Sequence, residues 1–176
     1  FAEADNELNN GPSAAAINAL KEVRTRAFGN NASAIGTIPA DKAGFFNAIV
    51  NERYFEFGGE GLRKFDLIRW NLIATKLADT RTRLGQMLNK QAPYNNLPQS
   101  MYYLPGQQTL VFANSLYAPS PSSTPAGYTK VAWISALTAT GVNSVGQGFK
   151  SNHSELLPIP TPSLQANPLL TQIPGY

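Results

Sequence analysis

ERYFEFGGEGLRKFDLIRW, residues 52–70, carries eight charged side chains among five aromatics, in a chain where only 14% of residues are charged. Its reading decides the fold. Phe46, Val50, Tyr54 and Phe57 recur at helical spacing, so a helix that starts near Pro39 and Asp41 runs into the stretch and is broken by Gly58 and Gly59. Another helix begins near Gly61, with Phe65, Ile68 and Leu72 on one face. Ile73, Leu77, Leu84 and Leu88 carry the period on toward Lys90, with room for a break between. Glu52 and Glu56 stand at i and i+4, Arg53 reaches Glu56 at i+3, and Arg63 with Asp66 and Asp66 with Arg69 repeat that spacing. Like charges one turn apart need cations close by. If the glycine turn folds the later helix back on the earlier one, Arg63 and Arg69 are in reach. Glu52, Arg53, Glu56, Glu60, Arg63, Asp66 and Arg69 therefore read as the ionic frame of a helix hairpin. The rival reading is a glycoside hydrolase using Glu52 and Glu56, since two carboxylates flanking a sugar are what hydrolysis needs. Acids already paired with arginines are poor proton donors, which argues against it.

Working toward the N-terminus, a turn at Asn10, Gly11 and Pro12 precedes a helix with Ala16, Leu20, Val23 and Ala27 on one face and Pro12 in its first turn. Arg24 and Arg26 suit the negative end of its dipole, and Gly29 with Asn30 offers a left-handed stop. The opening FAEADNEL reads as the end of a helix already under way, which suggests that an upstream part is missing.

Working toward the C-terminus, the character changes. From about Gln91 to Gly148, Pro, Ser, Thr, Gly and Asn dominate, and MYYL, TLVF and VAWISAL are too short to tell strand from buried turn. A loop-rich segment this long inside a compact domain is usually functional or else misassigned, and both readings stay open. TGVNSVGQG lacks the Lys and Ser/Thr of a phosphate loop and reads as a flexible turn. Lys76, Arg81, Arg83 and Lys90 read as a solvated basic face. In the tail, Pro158 and Pro160 favour extended backbone, and Thr161 caps a single helical turn from Pro162 to before Asn167. Leu156, Leu157, Ile159, Leu164, Leu169, Leu170 and Ile173 need burial, so this tail is expected to wrap over the core as a clasp.

Composition narrows the function. With 176 residues and 43% hydrophobic content, one domain with a sizeable core is expected. A net charge of +3, with basic and acidic residues interspersed, offers no stripe for a nucleic acid. The absence of cysteine removes thiolate chemistry and cysteine metal sites. His153 is the only histidine, a hydrogen-bonding residue rather than a metal ligand, and no cofactor is implied.

INALKEVRTRA, then IVNERYFEFGGEGLRKFDLIRW, then LLPIP, NPLLTQ and a final PGY, in this order and spacing, resemble the C-terminal region of the SusD/RagB family of outer-membrane nutrient-binding lipoproteins. The motifs cover residues 1 to about 75 and 155 to 176. The chain departs from the family pattern at Gly59, where an aromatic is usual, and at Ile173, where Asn is common. The resemblance implies a mainly α fold with tetratricopeptide-like helix pairs. Residues 1–90 would be helical, 91–150 a loop-rich insertion and 151–176 a Pro-rich extended clasp tail, with an N-terminal part lying upstream. It further implies non-catalytic capture of a polysaccharide or oligosaccharide on the extracellular face of a Bacteroidota outer membrane. An upstream lipid anchor would hold the protein there, and a SusC-like TonB-dependent transporter would be its partner. A peptide-binding or scaffolding member of the same fold is the alternative.

Within that frame, ligand contact is best sought among the aromatics of the middle. Trp133 and Tyr128, then Tyr117, Tyr102 and Tyr103, lie among small polar residues. A sugar's apolar face can stack on an exposed ring while Asn, Gln and Ser bond its hydroxyls. Core packing is the competing use of each, above all for a Trp inside VAWISAL.

Overall fold

Ser13 starts the first long helix: its Oγ accepts the N–H of Ala16 at 3.2 Å, satisfying a donor the helix itself cannot. The computed structural model describes residues 1–111 and 118–176. They divide into two compact units, Phe1–Asp66 and Leu67–Tyr176.

The first unit contains α1 (Ala2–Leu8), α2 (Ala14–Ala27) and α3 (Lys42–Glu56), and the unit boundary falls inside α4 (Arg63–Arg69). Pro12 precedes the α2 cap rather than opening the helix. The expected stop is present: Gly29 and Asn30 adopt φ of 58° and 65°, and the Asn30 N–H returns to the Thr25 carbonyl at 2.8 Å. Asp41 caps α3 through the Gly44 N–H at 2.8 Å.

Ala16, Leu20, Ile35, Phe45, Ala48, Ile49 and Val50 form the core of this unit. The α3 face is rotated from the expected one. Val50 is buried and Phe46 and Phe57 half-buried, but Phe45 and Ile49 lead the core and Tyr54 is 55% exposed beside Phe55. Helix α1 has the reverse polarity of an ordinary surface helix. Its Asn6 is fully buried, donating from Nδ2 to the Lys42 carbonyl at 3.1 Å, while Phe1 and Leu8 face out.

In the second unit, α4 ends at a break where Asn71 takes φ of 53°, and α5 (Ile73–Leu88) follows. The expected flexible turn at residues 140–148 is helical in its first part and a turn only from 145 to 148. Thr138 Oγ1 accepts the Gly141 N–H at 3.0 Å to cap α6 (Ala139–Ser144), a Ser/Thr cap that outweighs the low helix propensity of Gly141. Arg81 is not merely solvated, because it donates to the carbonyls of Val145 and Gly146 and pins the end of α6 to α5.

MYYL and VAWISAL contribute to a two-stranded antiparallel sheet, β1 (Ser100–Tyr103) with β2 (Thr129–Ala132). The register sets Met101 opposite Val131, Tyr102 opposite Lys130 and Tyr103 opposite Thr129. On its other edge Tyr102 exchanges two hydrogen bonds with Val111, at 2.9 and 2.8 Å.

The tail forms α7 (Thr161–Ala166), which begins at the residue expected to cap it, since Pro160 holds the cap position. Its leucines are not gathered into a core in this chain: Leu157 is 80% and Leu169 90% exposed. The architecture is thus mainly helical, with one small sheet among the described residues. No helix among them is long and apolar enough to cross a membrane.

Candidate functional site

Two groups of residues carry charge or exposed rings in a defined arrangement. The first is the ionic frame of residues 52–70. Glu52 is held by Arg24 at 2.7 Å, with both side chains about 85% buried (15% and 14% exposed), and Arg24 also reaches the Ile35 carbonyl at 3.4 Å. Glu56 pairs with Arg26. The partners of both glutamates therefore come from α2, not from Arg63 and Arg69 as the local spacing suggests. Arg63 instead donates to the Val50 carbonyl at 2.8 Å and lies 5.1 Å from the Tyr54 ring.

Arg53 bypasses Glu56 and crosses the glycine turn to Asp66, with Nε and Nη2 on the two carboxylate oxygens at 2.7 and 3.0 Å. Such a fork fixes orientation as well as charge, and Asp66 is buried beneath it. This pair joins the two sides of the glycine turn through residues other than those the local spacing matched. Gly59 and Gly61, at φ of 86° and 74°, let the chain turn tightly enough for Arg53 to span it. Glu60 lies exposed on the turn and joins none of these pairs. Arg69 is placed 4.3 Å from the Trp70 ring.

The second group is the face of the small sheet. Side chains alternate along a strand, so directly opposed residues share a face. Ser100 and Tyr102 point inward and are 2% and 1% exposed, which removes Tyr102 as a ligand platform and makes it the core of the sheet. Met101, Tyr103, Thr129 and Val131 make the opposite face. Trp133 has the same parity, and its N–H still bonds the Gln99 carbonyl at 3.0 Å, so it extends that face. Tyr103 and Trp133 are both half-buried. Tyr128, also half-buried, sits on the turn entering β2 with its N–H on the Pro125 carbonyl at 3.1 Å. Tyr117 lies outside the described residues. Met101 and Val131, which the sequence reading passed over, wall this face; only the strand register reveals them.

An open groove of about 500 Å³ runs along α2, lined by Asn18, Lys21, Glu22, Thr25, Arg26 and Asn30. It has hydrogen-bonding groups but no ring on which a sugar could stack. Among the described residues no group of three or more His, Asp or Glu side chains is placed to hold a metal.

Two carboxylates are held below the usual range. At Asp5 the Ser13 backbone N–H lowers the pKa most; desolvation opposes it, and the Ser13 hydroxyl and Asn9 add to the lowering. At Glu155 desolvation is the largest influence and raises it. The backbone N–H groups of Asn152, Glu155 and His153, with the charge of His153, together outweigh it. Both groups hold loops and caps together.

Comparison with known proteins gives three concordant matches. A SusD-like protein of Formosa agariphila is 37% identical over 94 residues, covering 53% of this chain and 17% of that protein. A crystal structure of a SusD homolog from Bacteroides thetaiotaomicron matches all of this chain and 25% of its own, at a TM-score of 0.62 and 24% identity. The chain thus spans a quarter or less of the length of these relatives. A model of the SusD family matches residues 1–176 without a gap at either end. The fold, the motif-bearing hairpin and this match over the full length agree: the chain belongs to the SusD family.

Proposed function

We propose that this chain is the C-terminal part of a cell-surface binding protein that captures a polysaccharide or oligosaccharide without cleaving it. The observation that carries the reading is the sheet face: Tyr103 and Trp133 stand half-buried on a hydrogen-bonded ladder, with Met101 and Val131 beside them. Rings fixed in this way lose little entropy on stacking against a pyranose, while Thr129 and neighbouring carbonyls can bond its hydroxyls. Tyr128 stands at the rim of the same strand.

Membership in the SusD family supports the rest of the proposal. The captured glycan passes to a SusC-like TonB-dependent transporter, and a lipid anchor upstream holds the protein on the extracellular face of the outer membrane. A non-catalytic role agrees with the fate of the two candidate acids. Glu52 is nearly buried against Arg24 and Glu56 is paired with Arg26, so neither presents a free carboxyl to a sugar.

The test is titration of a panel of glycans, by calorimetry or affinity electrophoresis, with the parent and with Trp133→Ala, Tyr103→Ala and Tyr128→Ala. Loss of one stacked ring is expected to weaken affinity by about tenfold, from roughly 1–1.5 kcal/mol per ring contact. Unchanged affinity in all three variants overturns the placement of the site. Reducing-end release from any glycan that the chain binds overturns the non-catalytic reading.

A further inference from the structure

The last two residues of the chain are bound by a loop 20 to 23 residues upstream. That loop is built before it meets them. Lys150 and Ser154 bond each other twice, at 2.9 and 2.8 Å. Asn152 takes φ of 61°, and the Glu155 carboxylate accepts the N–H groups of Asn152 and His153 at 3.0 and 2.8 Å.

On this loop, the His153 ring stacks on Tyr176 at 4.1 Å between centroids and 19° between planes. Its Nε2 donates to the Gly175 carbonyl at 3.0 Å, which fixes the proton on Nε2; Nδ1 is buried and has no partner among the described residues. The Tyr176 hydroxyl lies 2.8 Å from the Leu156 carbonyl and 3.2 Å from that of His153. Gly175, at φ of 96°, passes so close under the ring that a Cβ there would stand 2.7 Å from His153 Cδ2. Each end residue is thus recognised by its chemistry: glycine by the absence of a side chain, tyrosine by its ring and its hydroxyl.

A second lock lies three residues in from Leu156 and from Gly175. The Gln172 side chain takes both the N–H and the carbonyl of Ile159, each at 3.0 Å, and its Oε1 also accepts the Ile173 N–H at 2.9 Å. A primary amide here replaces the paired backbone that a β-ladder would supply.

We propose that the loop of residues 150–156 is a binding site for the chain's own Gly175 and Tyr176, and that residues 157–174 form a strap held shut by these polar contacts. This differs from the clasp expected from the leucines, since Leu157 and Leu169 remain exposed while the strap is closed. Closure therefore rests on a few specific groups, and a strap of that kind opens as a unit.

Hydrogen exchange on the 176-residue chain tests it, read at the amides of Ile159 and Ile173. Tyr176→Ala, Gly175→Ala and His153→Ala are each expected to speed exchange at both amides by about tenfold or more, the worth of a hydrogen bond and a ring stack. Exchange in α3 serves as the folding control and is expected to stay unchanged. Because all three act on one latch, Tyr176→Ala combined with His153→Ala is expected to exchange no faster than the faster single variant. Unchanged protection at Ile159 and Ile173 in Tyr176→Ala, or rate increases that multiply in the double variant, overturns the proposal. Truncating a side chain that is 46% exposed does not threaten folding, so the Tyr176 variant keeps the test decisive.

Discussion

Removing the Arg24 guanidinium tests whether the ionic frame is structural. Arg24 Nε lies 2.7 Å from Glu52 Oε2, and the two side chains are 15% and 14% exposed. A charge-assisted hydrogen bond contributes about 1.5–3 kcal/mol, and removing one partner of a buried pair costs about 3–5 kcal/mol because the other charge is left desolvated. The residual exposure of Glu52 places Arg24→Ala near the lower end, about 3 kcal/mol. Loss of a cation in the last turn of α2 adds about 0.3–1 kcal/mol. For a chain of this length the total of about 3.3–4 kcal/mol is a fall in Tm of roughly 7–16 °C. Glu52→Gln costs less, about 1–2 kcal/mol, because Arg24 keeps the Ile35 carbonyl as an acceptor. Replacing both by methionine removes the charge and its desolvation together and is expected to fall within about 1 kcal/mol of the parent. Lys42→Ala is the control: its pair with Glu7 is 39% and 58% exposed, and its loss is expected to cost about 0–1 kcal/mol. Urea unfolding followed by resonances of α2 and α3 measures all four in the unit concerned. If Arg24→Ala costs no more than Lys42→Ala, or if the double variant is as unstable as Arg24→Ala, the pair is not the buried clamp described and the reasoning fails.

Ser13→Ala deprives α2 of its cap and Asp5 of a hydroxyl partner, and is expected to cost about 1 kcal/mol in urea unfolding. Asp5 and Glu155 both have folded pKa values below their ordinary ones, so their stabilisation is present above the unfolded pKa and fades as pH falls through the folded value. Unfolding midpoints taken from about pH 5 down to about pH 2 should therefore fall more steeply in the parent than in Asp5→Asn or Glu155→Gln; equal slopes would contradict the shifts. Glu56→Gln should leave any reducing-end release at the background of the parent, since its carboxylate is engaged by Arg26. Turnover that disappears in this variant while α3 stays folded would restore the hydrolase reading.

What could be read from the sequence depends on how local its cause is. The left-handed stop at Gly29 and Asn30, the cap at Asp41 and the glycine corner after α3 follow from backbone chemistry within a few residues, and all are present. The partners of Glu52 and Glu56 stand 28 and 30 residues away, and helical spacing reports which residues share a face without saying what that face meets. That is why Arg63 and Arg69 looked available and Arg24 and Arg26 looked like dipole caps. The same limit explains the rotated face of α3: Phe45 and Phe46 are equally apolar neighbours, and only tertiary packing decides that the first is buried and the second half-buried.

The adjacent tyrosines of β1 carry this furthest into the candidate site. Strand alternation alone requires that Tyr102 and Tyr103 face opposite sides, so at most one of them could meet a ligand. Which one is settled by pairings far along the chain: Val111 closes the free edge of Tyr102, and Thr129, not a core residue, stands opposite Tyr103. A four-residue strand has too few alternations to reveal its buried side, and the run to Trp133 is interrupted by a 3₁₀ turn at Ile134–Ala136. The sheet face therefore belongs to the register, and a change that slips β2 by one residue would turn Met101, Tyr103, Val131 and Trp133 from their shared side. If the sheet face is the proposed glycan platform, an insertion between Gly127 and Tyr128 should accordingly weaken binding at least as far as removing one ring, while leaving the unit that contains α2 and α3 folded.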